Sequence, residues 1–334
     1  MRHGKSKRGQ MSLLGQPYGF GLADTLLAEV GGVPLDALHR DVEAICRCYV
    51  TIEPVAKRLE VLTPRPRIAG FSYTYISALG AKVVFAQGSE PNVVPIIRQS
   101  EDIDTLSEPE DYLASGVAPQ RIEVMQRLRE LRPDAEFRLE HAEGPITSAA
   151  LLMGPGFFTL PNEDPVRAHR LIDFAVRSSL NYNRAVRAFF QEEEGPGPVS
   201  LCDDFAGMFS PAQFHEFVAP YWDRIYSGQG ATERHLHSEL LRLEHLPFLK
   251  QLGITVYDPS ADQYVTPELL REHCPISFTA RIQAWDIRDR STHELQALYR
   301  RVASCKPVRI AFYMTRLAEE EKIRALLDVA REME

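Results

Sequence analysis

Residues 233–239 (E-R-H-L-H-S-E) carry two histidines and a carboxylate at alternate positions. On an extended strand His235, His237 and Glu239 share one face, because successive side chains point to opposite sides. Imidazole nitrogens and a carboxylate oxygen are ligands that Zn²⁺ accepts, and the same groups serve in acid–base catalysis. If the alternation is lost beyond Ser238, only two of the three converge. The alternative is a hydrogen-bonded cluster at the start of a loop, with His235 packed in the strand wall.

Two adjacent carboxylates, Asp203 and Asp204, follow the strand-like run 198–202 and precede the turn residue Gly207. Neighbouring carboxylates can have separated pKa values, which suits a general base or a cation-binding group. We therefore expect Asp203 to act in catalysis and Asp204 to contact the substrate. The alternative is that Asp204 caps a turn while Asp203 alone points inward.

Further polar side chains at the ends of predicted strands are candidates for substrate contacts. Asp258 precedes Pro259, a step that forces extended backbone, so its carboxylate either faces the site or closes an Asx turn. His141 could equally be a hydrogen-bonded core histidine. The full set is His141, Asp258, Arg281 and Gln283.

These residues belong to short apolar strands that alternate with helices. Such a rhythm predicts a parallel sheet with right-handed crossovers. About seven strands are convincing, close to the eight of a (β/α)8 TIM barrel, where functional residues lie at the C-terminal ends of the strands. A doubly wound sheet is the competing fold, but its glycine-rich phosphate turn is missing from the sequence. The strand-like runs are 67–71, 82–85, 137–141, 198–202, 235–237, 254–257, 275–278 and 307–311.

The fold class that we predict is therefore α/β, a (β/α)8 barrel with an N-terminal helical extension. Residues 1–10 lack apolar periodicity and predict a disordered tail, and residues 11–65 predict a mainly helical segment packed on the barrel. Residues 66–334 would form the barrel itself. A long helix is expected to begin at Asp164-Pro165, since Asp is a good N-cap and Pro suits the first helical position.

The composition is that of an ordinary globular chain of 334 residues. Its 38 Lys and Arg against 46 Asp and Glu give a formal charge of −8, which argues against binding nucleic acid through phosphates. No apolar run reaches the ~18–20 residues of a membrane span. The five cysteines are odd in number and widely spread, unlike a secreted disulfide framework, so we expect a cytoplasmic protein.

Several stretches resemble the uroporphyrinogen decarboxylase superfamily, including its cobalamin-linked methyltransferase branch. They occur in the family's order and together span about residues 66–334. The resemblance implies a (β/α)8 barrel with its active site in the cleft at the C-terminal ends of the strands, and it implies a homodimer. The matching stretches are 77–85 (S-A-L-G-A-K-V-V-F), 101–104 (E-D-I-D), 144–147 (G-P-I-T) and 203–221, which contains D-D-F-A-G-M-F-S-P and F-V-A-P-Y.

The sequence departs from true uroporphyrinogen decarboxylases at the positions that serve porphyrinogen. The family's R-Q-A-G-R loop is missing, and residues 16–20 (Q-P-Y-G-F) occupy its region. Residues 72–73 (S-Y) stand where the family has an aspartate, and residues 150–151 (A-L) where it has a tyrosine. The family's C-terminal histidine falls within 313–315 (Y-M-T). The resemblance therefore favours the methyltransferase branch.

That branch holds zinc with an H-x-C pair and a late cysteine. In register with it, His237 falls on the family's histidine and Glu239 on its first cysteine, while residues 311–316 contain no cysteine. The resemblance thus implies His237 and Glu239 as a ligand pair, with His235 as the nearest third candidate. Without thiolates at the family's positions, a harder nitrogen and oxygen site is expected.

The function implied is transfer of a methyl group between a small substrate and a corrinoid. The chain has no D-x-H-x-x-G segment, so the corrinoid would belong to a partner protein. One alternative is a lyase or decarboxylase that acts on a non-porphyrin carboxylic acid through Asp203 and a histidine. A second alternative is a barrel that binds a small molecule without catalysis.

Overall fold

The computed structural model describes residues 18–192 and 195–333. The predicted tail at 1–10 and the first part of the segment 11–65 lie outside these residues. The strands of the described residues are β1 Tyr18–Leu22, β2 Lys82–Val84, β3 Asn92–Val94, β4 Gly197–Cys202, β5 Ala231–His237, β6 Ile254–Asp258, β7 Ser277–Arg281 and β8 Arg309–Met314.

Helices separate most of these strands. The α-helices of the described residues are α1 Asp24–Gly31, α2 Val42–Thr51, α3 Glu53–Arg58, α4 Tyr73–Ala78, α5 Ala118–Leu131, α6 Pro145–Met153, α7 Leu160–Glu163, α8 Pro165–Phe189, α9 Pro211–Phe217, α10 Ala219–Gly228, α11 Leu246–Gln251, α12 Pro267–His273, α13 Ala284–Asp289, α14 Thr292–Ser304 and α15 Glu320–Glu332. Short 3₁₀ turns lie at Leu35–His39, Ser100–Thr105, Gly154–Phe158, Ala206–Met208, Leu243–His245 and Leu317–Glu319. No helix in the described ranges is long and apolar enough to cross a membrane.

The main sheet has six parallel strands in the order β1-β8-β7-β6-β5-β4 and curls into half of a barrel. Five of them overlap strand-like runs of the sequence, so the expectation of a parallel α/β fold is confirmed. The helix predicted to begin at Asp164-Pro165 is α8, and the Asp164 carboxylate accepts a hydrogen bond from the backbone N–H of Arg167 at 3.0 Å. A polar cap and a proline thus set its start, as the local sequence indicates.

The runs 67–71 and 137–141 have no regular secondary structure and form no ladder with the sheet, which differs from the expectation. Side chains from helices take backbone groups that a ladder would use. Tyr182 on α8 donates its hydroxyl to the carbonyl of Glu140 at 3.1 Å, and Arg121 on α5 donates to the carbonyl of Ala69 at 3.2 Å. The run at 82–85 also differs, since β2 pairs antiparallel with β3 outside the main sheet.

Strand β1 lies within the segment 11–65 that the sequence indicates as helical. It pairs in parallel with β8, from Tyr18 opposite Ile310 to Leu22 opposite Met314. Glycine is a poor strand former, so the Y-G-F-G-L pattern carries little strand signal. The parallel sheet therefore begins before residue 66, while α1, α2 and α3 supply the expected helices of this segment.

The two faces of the sheet differ in polarity. Leu236, Phe278 and Phe312 are buried in the apolar core, on one face of β5, β7 and β8. The alternate residues His237 and Arg281 are only half-buried, and Tyr313 is exposed. Because side chains alternate along a strand, the face of the sheet opposite the core is polar. His237 and Arg281 are the last residues of β5 and β7, so these polar groups lie at the C-terminal edge of the sheet.

Candidate functional site

The site is centred on His237, the last residue of β5, which lies opposite Asp258, the last residue of β6. Imidazole Nδ1 of His237 is 3.0 Å from Asp258 Oδ2. An ionised carboxylate only accepts hydrogen bonds, so Nδ1 carries the proton and the Nε2 lone pair of a neutral ring is left free. The other oxygen of Asp258 accepts from Thr279 Oγ1 at 2.9 Å and from the N–H of Ser260 at 3.0 Å. Asp258 is thereby fixed, and it orients the imidazole.

The pKa values of this pair move apart. Burial opposes a charge on His237, but the hydrogen bond to Asp258 and the charges of Asp258 and Asp204 outweigh it and raise the imidazole pKa. Burial likewise opposes ionisation of Asp258, but its contacts with His237, Ser260 and Thr279 hold its pKa well below the usual range. The two groups therefore stabilise each other as cation and anion when the imidazole takes up a second proton.

His237 lies next to Cys202, the last residue of β4, and Asp204, two residues further along the chain. Asp204 Oδ1 is 3.5 Å from His237 Nε2, is shielded from solvent, and has no hydrogen-bond partner among the described residues. One ligand atom each from Cys202, Asp204 and His237 lie within 4.8 Å of one another. Burial raises the pKa of both Asp204 and Cys202, so a nearby cation would favour the anionic form of each group.

These features fit a zinc ion. Nitrogen, oxygen and sulfur donors are all ligands of Zn²⁺, and three protein ligands leave one tetrahedral position for substrate. Metal-binding histidines usually donate their second N–H to a carboxylate, which is what His237 does toward Asp258. The unpartnered oxygen of Asp204 is the strongest single observation, because a shielded carboxylate oxygen without a donor is costly unless a cation satisfies it.

Glu239 and His235 are not part of this group of ligand atoms in the described residues. Strand β5 ends at His237, so the side-chain alternation does not continue to Glu239, whose Oε1 accepts from the N–H of Ala261 at 3.5 Å. His235 lies two residues back, about 6.6 Å along the strand. Its Nε2 is 3.6 Å from Glu233 Oε2. The structure thus pairs His237 with Asp204 and Cys202 instead.

Asp203 is 0 % exposed and does not face the site. Its Oδ1 accepts from the N–H of Thr147 at 2.7 Å, and its Oδ2 accepts from the N–H of Ile146 at 3.2 Å and from Trp222 Nε1 at 2.7 Å. Burial raises its pKa to about 6, although these hydrogen bonds oppose the shift. The carboxylate satisfies the N-terminus of α6, so its placement does not support the catalytic role expected for it.

Gly144 shows how closely the chain packs around this carboxylate. A Cβ atom at Gly144 would lie 2.4 Å from Asp203 Cβ, well inside van der Waals contact. Only glycine allows α6 to approach Asp203 closely enough for the hydrogen bonds to form. The G-P-I-T motif and the first aspartate of D-D-F-A-G therefore form one structural unit.

The remaining predicted residues lie around the site in different ways. Arg281 Nη2 is 3.9 Å from Asp258 Oδ2, which places Arg281 next to the histidine–carboxylate pair. Gln283 donates Nε2 to the carbonyl of Ser260 at 3.0 Å and so links the segments that follow β6 and β7. The side chain of His141 is exposed.

Two residues of the site were not expected from the sequence, Cys202 and Glu143. Oε2 of Glu143 is shielded and unpartnered among the described residues. Burial raises its pKa to about 7, and the charges of Asp204 and Asp203 add to the rise. Cys202 had a modest signal, because it ends a strand-like run and stands two residues before Asp204, although β4 ends at Cys202 and strand alternation does not extend to Asp204. Glu143 has the same relation to His141, a weaker signal outside a regular strand.

Comparisons with known proteins agree with this fold. Residues 71–273, more than half of the chain, match the profile of the family described as uroporphyrinogen decarboxylase (URO-D). The chain is 28% identical over 149 residues to a uroporphyrinogen decarboxylase of Myxococcus xanthus, covering 42% of this chain and 40% of that protein. It is 28% identical over 179 residues to one of Nostoc punctiforme, covering 51% and 47%. The chain thus spans about half the length, or less, of these curated relatives.

A solved structure resembles the whole fold. The methyltransferase from Methanosarcina mazei superposes with a TM-score of 0.68 at 16% sequence identity, covering 95% of this chain and 93% of that one. At this identity the likeness concerns the fold. Together with the profile match over residues 71–273, it leads to the conclusion that the chain belongs to the uroporphyrinogen decarboxylase family.

Proposed function

We propose that this protein is a methyltransferase that moves a methyl group between a small substrate and a corrinoid carried by a partner protein, with zinc held by Cys202, Asp204 and His237. The observation that carries the proposal is the unpartnered oxygen of Asp204, 3.5 Å from the Nε2 of a histidine that Asp258 orients. The likeness in fold to a methyltransferase also supports it.

Each residue has a definite part in this proposal. Asp258 holds the proton of His237 on Nδ1, so that Nε2 is a neutral donor, and Asp204 and Cys202 supply anionic donors. Zinc would supply a Lewis acid that lowers the pKa of a substrate thiol or hydroxyl. Glu143, with a pKa of about 7, can hold or release a proton beside the site near neutral pH.

We further propose that the six-stranded sheet is closed into a full (β/α)8 barrel by the segments 66–71 and 136–144. Two backbone hydrogen bonds support this closure. Glu136 N–H donates to the carbonyl of Pro66 at 2.7 Å, which joins the two segments, and Gly144 N–H donates to the carbonyl of Cys202 at 2.6 Å, which joins the second segment to β4. Closure would encircle the strand ends around His237 and leave the barrel mouth open above it.

A partner docked over the ends of the strands fits the distribution of exposed apolar side chains. Large apolar residues are otherwise expected in the core, and exposed clusters of them often mark interaction surfaces. The residues that follow β4, β6, β7 and β8 in this way are Phe205, Met208, Tyr264, Trp285 and Leu317. We propose this surface as the site where a corrinoid protein presents its cofactor.

Metal analysis and a transfer assay test the proposal together. We expect about one zinc per chain by elemental analysis, and methyl transfer from methylcobalamin to a thiol or hydroxyl acceptor, followed by the change in corrinoid absorbance. His237→Ala should lose both zinc and transfer, whereas Glu239→Gln should keep its zinc. A purified chain that neither contains nor takes up zinc and leaves methylcobalamin unchanged would overturn the proposal.

Glu143 favours a second candidate, decarboxylation of a non-porphyrin acid. Loss of CO₂ breaks the bond between the substrate's carbon and its carboxylate, and the carbanion left behind then takes a proton from the neutral Glu143 carboxyl. A pKa of about 7 keeps a large share of that carboxyl protonated at neutral pH. Release of CO₂ from small carboxylic acids without zinc would favour this candidate. Ligand binding with neither reaction would favour a non-catalytic barrel.

A further inference from the structure

Three residues in register across β7, β8 and β1 form a row of the sheet near His237, and two of them, Ala311 and Gly19, are small. Arg281 on β7 and Gly19 on β1 are both backbone partners of Ala311 on β8. Since neighbouring strands lie about 4.8 Å apart, the backbones of Arg281 and Gly19 are about 10 Å apart across Ala311. Ala311 is half-buried despite its central strand, so there is open space above its methyl group.

A second arginine, Arg309, extends its side chain into this row from two residues earlier on β8. A Cβ atom built on Gly19 would lie 2.1 Å from Arg309 Nη2 and 2.2 Å from its Nε, so the guanidinium lies directly over Gly19. Gly19 is in register with Ala311, two residues further along β8 than Arg309. The side chain of Arg309 therefore turns toward the C-terminal ends of the strands, where Arg281 and His237 lie.

Neither guanidinium donates a hydrogen bond to another described residue. Arg309 forms no ion pair or hydrogen bond in the part of the chain that the structure describes, and its Nε is shielded from solvent without a partner. Nε of Arg281 is unpartnered in the same way. The acid nearest to Arg281 is Asp258 at 3.9 Å, and both oxygens of Asp258 already accept other hydrogen bonds. Shielded donors of this kind are costly unless an anion satisfies them.

We propose that Arg281 and Arg309 together bind an anionic oxygen group of the substrate, a carboxylate or a phosphate, above Ala311. Guanidinium groups bind such oxygens through paired, charge-assisted hydrogen bonds. Tyr313 is 40% exposed, and its ring centre is 5.4 Å from the Arg281 guanidinium, so it borders this anion site. The inference rests on the proposed function, because it names the class of substrate, an acid. Arg281 contacts Asp258, and Asp258 contacts His237, so the bound acid would lie next to the proposed metal site.

Small anions serve as probes of this anion site. Sodium acetate and inorganic phosphate are titrated into the wild-type chain by calorimetry at constant ionic strength, with chloride as the reference, and Tm is followed in parallel. We expect saturable binding of at least one anion, weakened by about tenfold or more in Arg309→Gln and in Arg281→Gln. Acetate binding alone indicates a carboxylate group, and phosphate binding alone indicates a phosphate group. Arg288→Gln is the matched control, because Arg288 pairs with Asp289 at the surface.

Two further measurements separate this inference from packing and from the metal. If Arg309 is an unpaired cation, Arg309→Met keeps or raises the Tm in chloride, whereas a packing role would lower it. Because a bound metal also attracts anions, His237→Ala should keep anion binding that Arg309→Gln loses. Equal binding by wild type and Arg309→Gln, or no saturable binding, would overturn the inference. Anion binding without zinc or methyl transfer would instead count against the proposed function alone.

Discussion

Asp203 and Asp204 are adjacent in the chain, but their carboxylates lie in opposite environments. Asp203 is completely buried and accepts three hydrogen bonds from α6 and Trp222. The side chain of Asp204 is 32% exposed, with one oxygen unpartnered and 3.5 Å from His237 Nε2. The first carboxylate therefore stabilises the fold that positions the second one.

Replacing Asp203 should destabilise the protein without a direct effect on the proposed metal ligands. Asp203→Ala leaves the N–H groups of Ile146 and Thr147 and the indole of Trp222 without their acceptor, so we expect a loss of about 3 kcal/mol or more. Urea unfolding followed by circular dichroism measures it. Asp204→Ala is the matched control and should cost less, because the Asp204 side chain has no hydrogen bond to another described residue to lose. Equal losses for both variants would contradict this division of roles.

The same carboxylate predicts a pH dependence of stability. The pKa of Asp203 rises from 3.8 to about 6 on folding, so the folded chain binds a proton more readily than the unfolded chain. The stabilisation from that proton is complete below pH 4 and is lost as the pH rises through 6, a change of about 3 kcal/mol. The free energy of unfolding of Asp203→Asn, compared with wild type from pH 4 to pH 7, should lack this fall.

The ligand set can be assigned by zinc content. His237→Ala, Cys202→Ser and Asp204→Asn should each lower zinc retained after dialysis, because each removes a donor from the proposed three-residue site. Glu239→Gln and His235→Gln should retain it. Cobalt substitution adds an optical check, since the thiolate charge-transfer band should disappear in Cys202→Ser. If Cys202→Ser keeps a normal zinc content and Glu239→Gln loses its zinc, the ligands are instead His237 and Glu239, the pair that the sequence indicates.

Asp258 should act on the metal through His237. Asp258→Asn removes the carboxylate that holds Nδ1, so we expect zinc affinity to fall by about 10–100-fold in competition with a chromophoric chelator. The charge of Asp258 also raises the pKa of His237, and protonation competes with metal binding. Zinc affinity should therefore fall as the pH drops through the raised imidazole pKa in wild type, and at lower pH in the variant. An unchanged pH midpoint would show that Asp258 does not control the imidazole.

Glu143 should contribute a titration to the activity near pH 7. If its neutral form supplies a proton, the rate falls as the pH rises through about 7, because the carboxyl ionises. Glu143→Gln should abolish this limb of the pH–rate profile and leave the fall at low pH that accompanies loss of zinc from protonated His237. Glu140→Gln is a suitable control, since Glu140 already pairs with Arg121. Persistence of the limb in Glu143→Gln would assign it to another group.

The sequence by itself determined the parallel α/β architecture, the start of α8 at Asp164 and the position of His237 and Asp258 at the ends of their strands. These features depend on local causes: the period of apolar residues, a cap next to a proline, and polar residues where an apolar run stops. The resemblance to the family, carried by short contiguous motifs, is local information of the same kind.

Only the tertiary structure decided which polar groups meet. Asp203 is turned inward by Thr147 and Trp222, residues 56 and 19 positions away. In the runs 67–71 and 137–141, the carbonyls of Ala69 and Glu140 accept hydrogen bonds from side chains of distant helices. Cys202 joins His237 because β4 and β5 are neighbours with these two residues in register. Whether a buried polar group is satisfied depends on every element packed around it, so the unpartnered atoms of Asp204 and Arg309 become visible only in three dimensions.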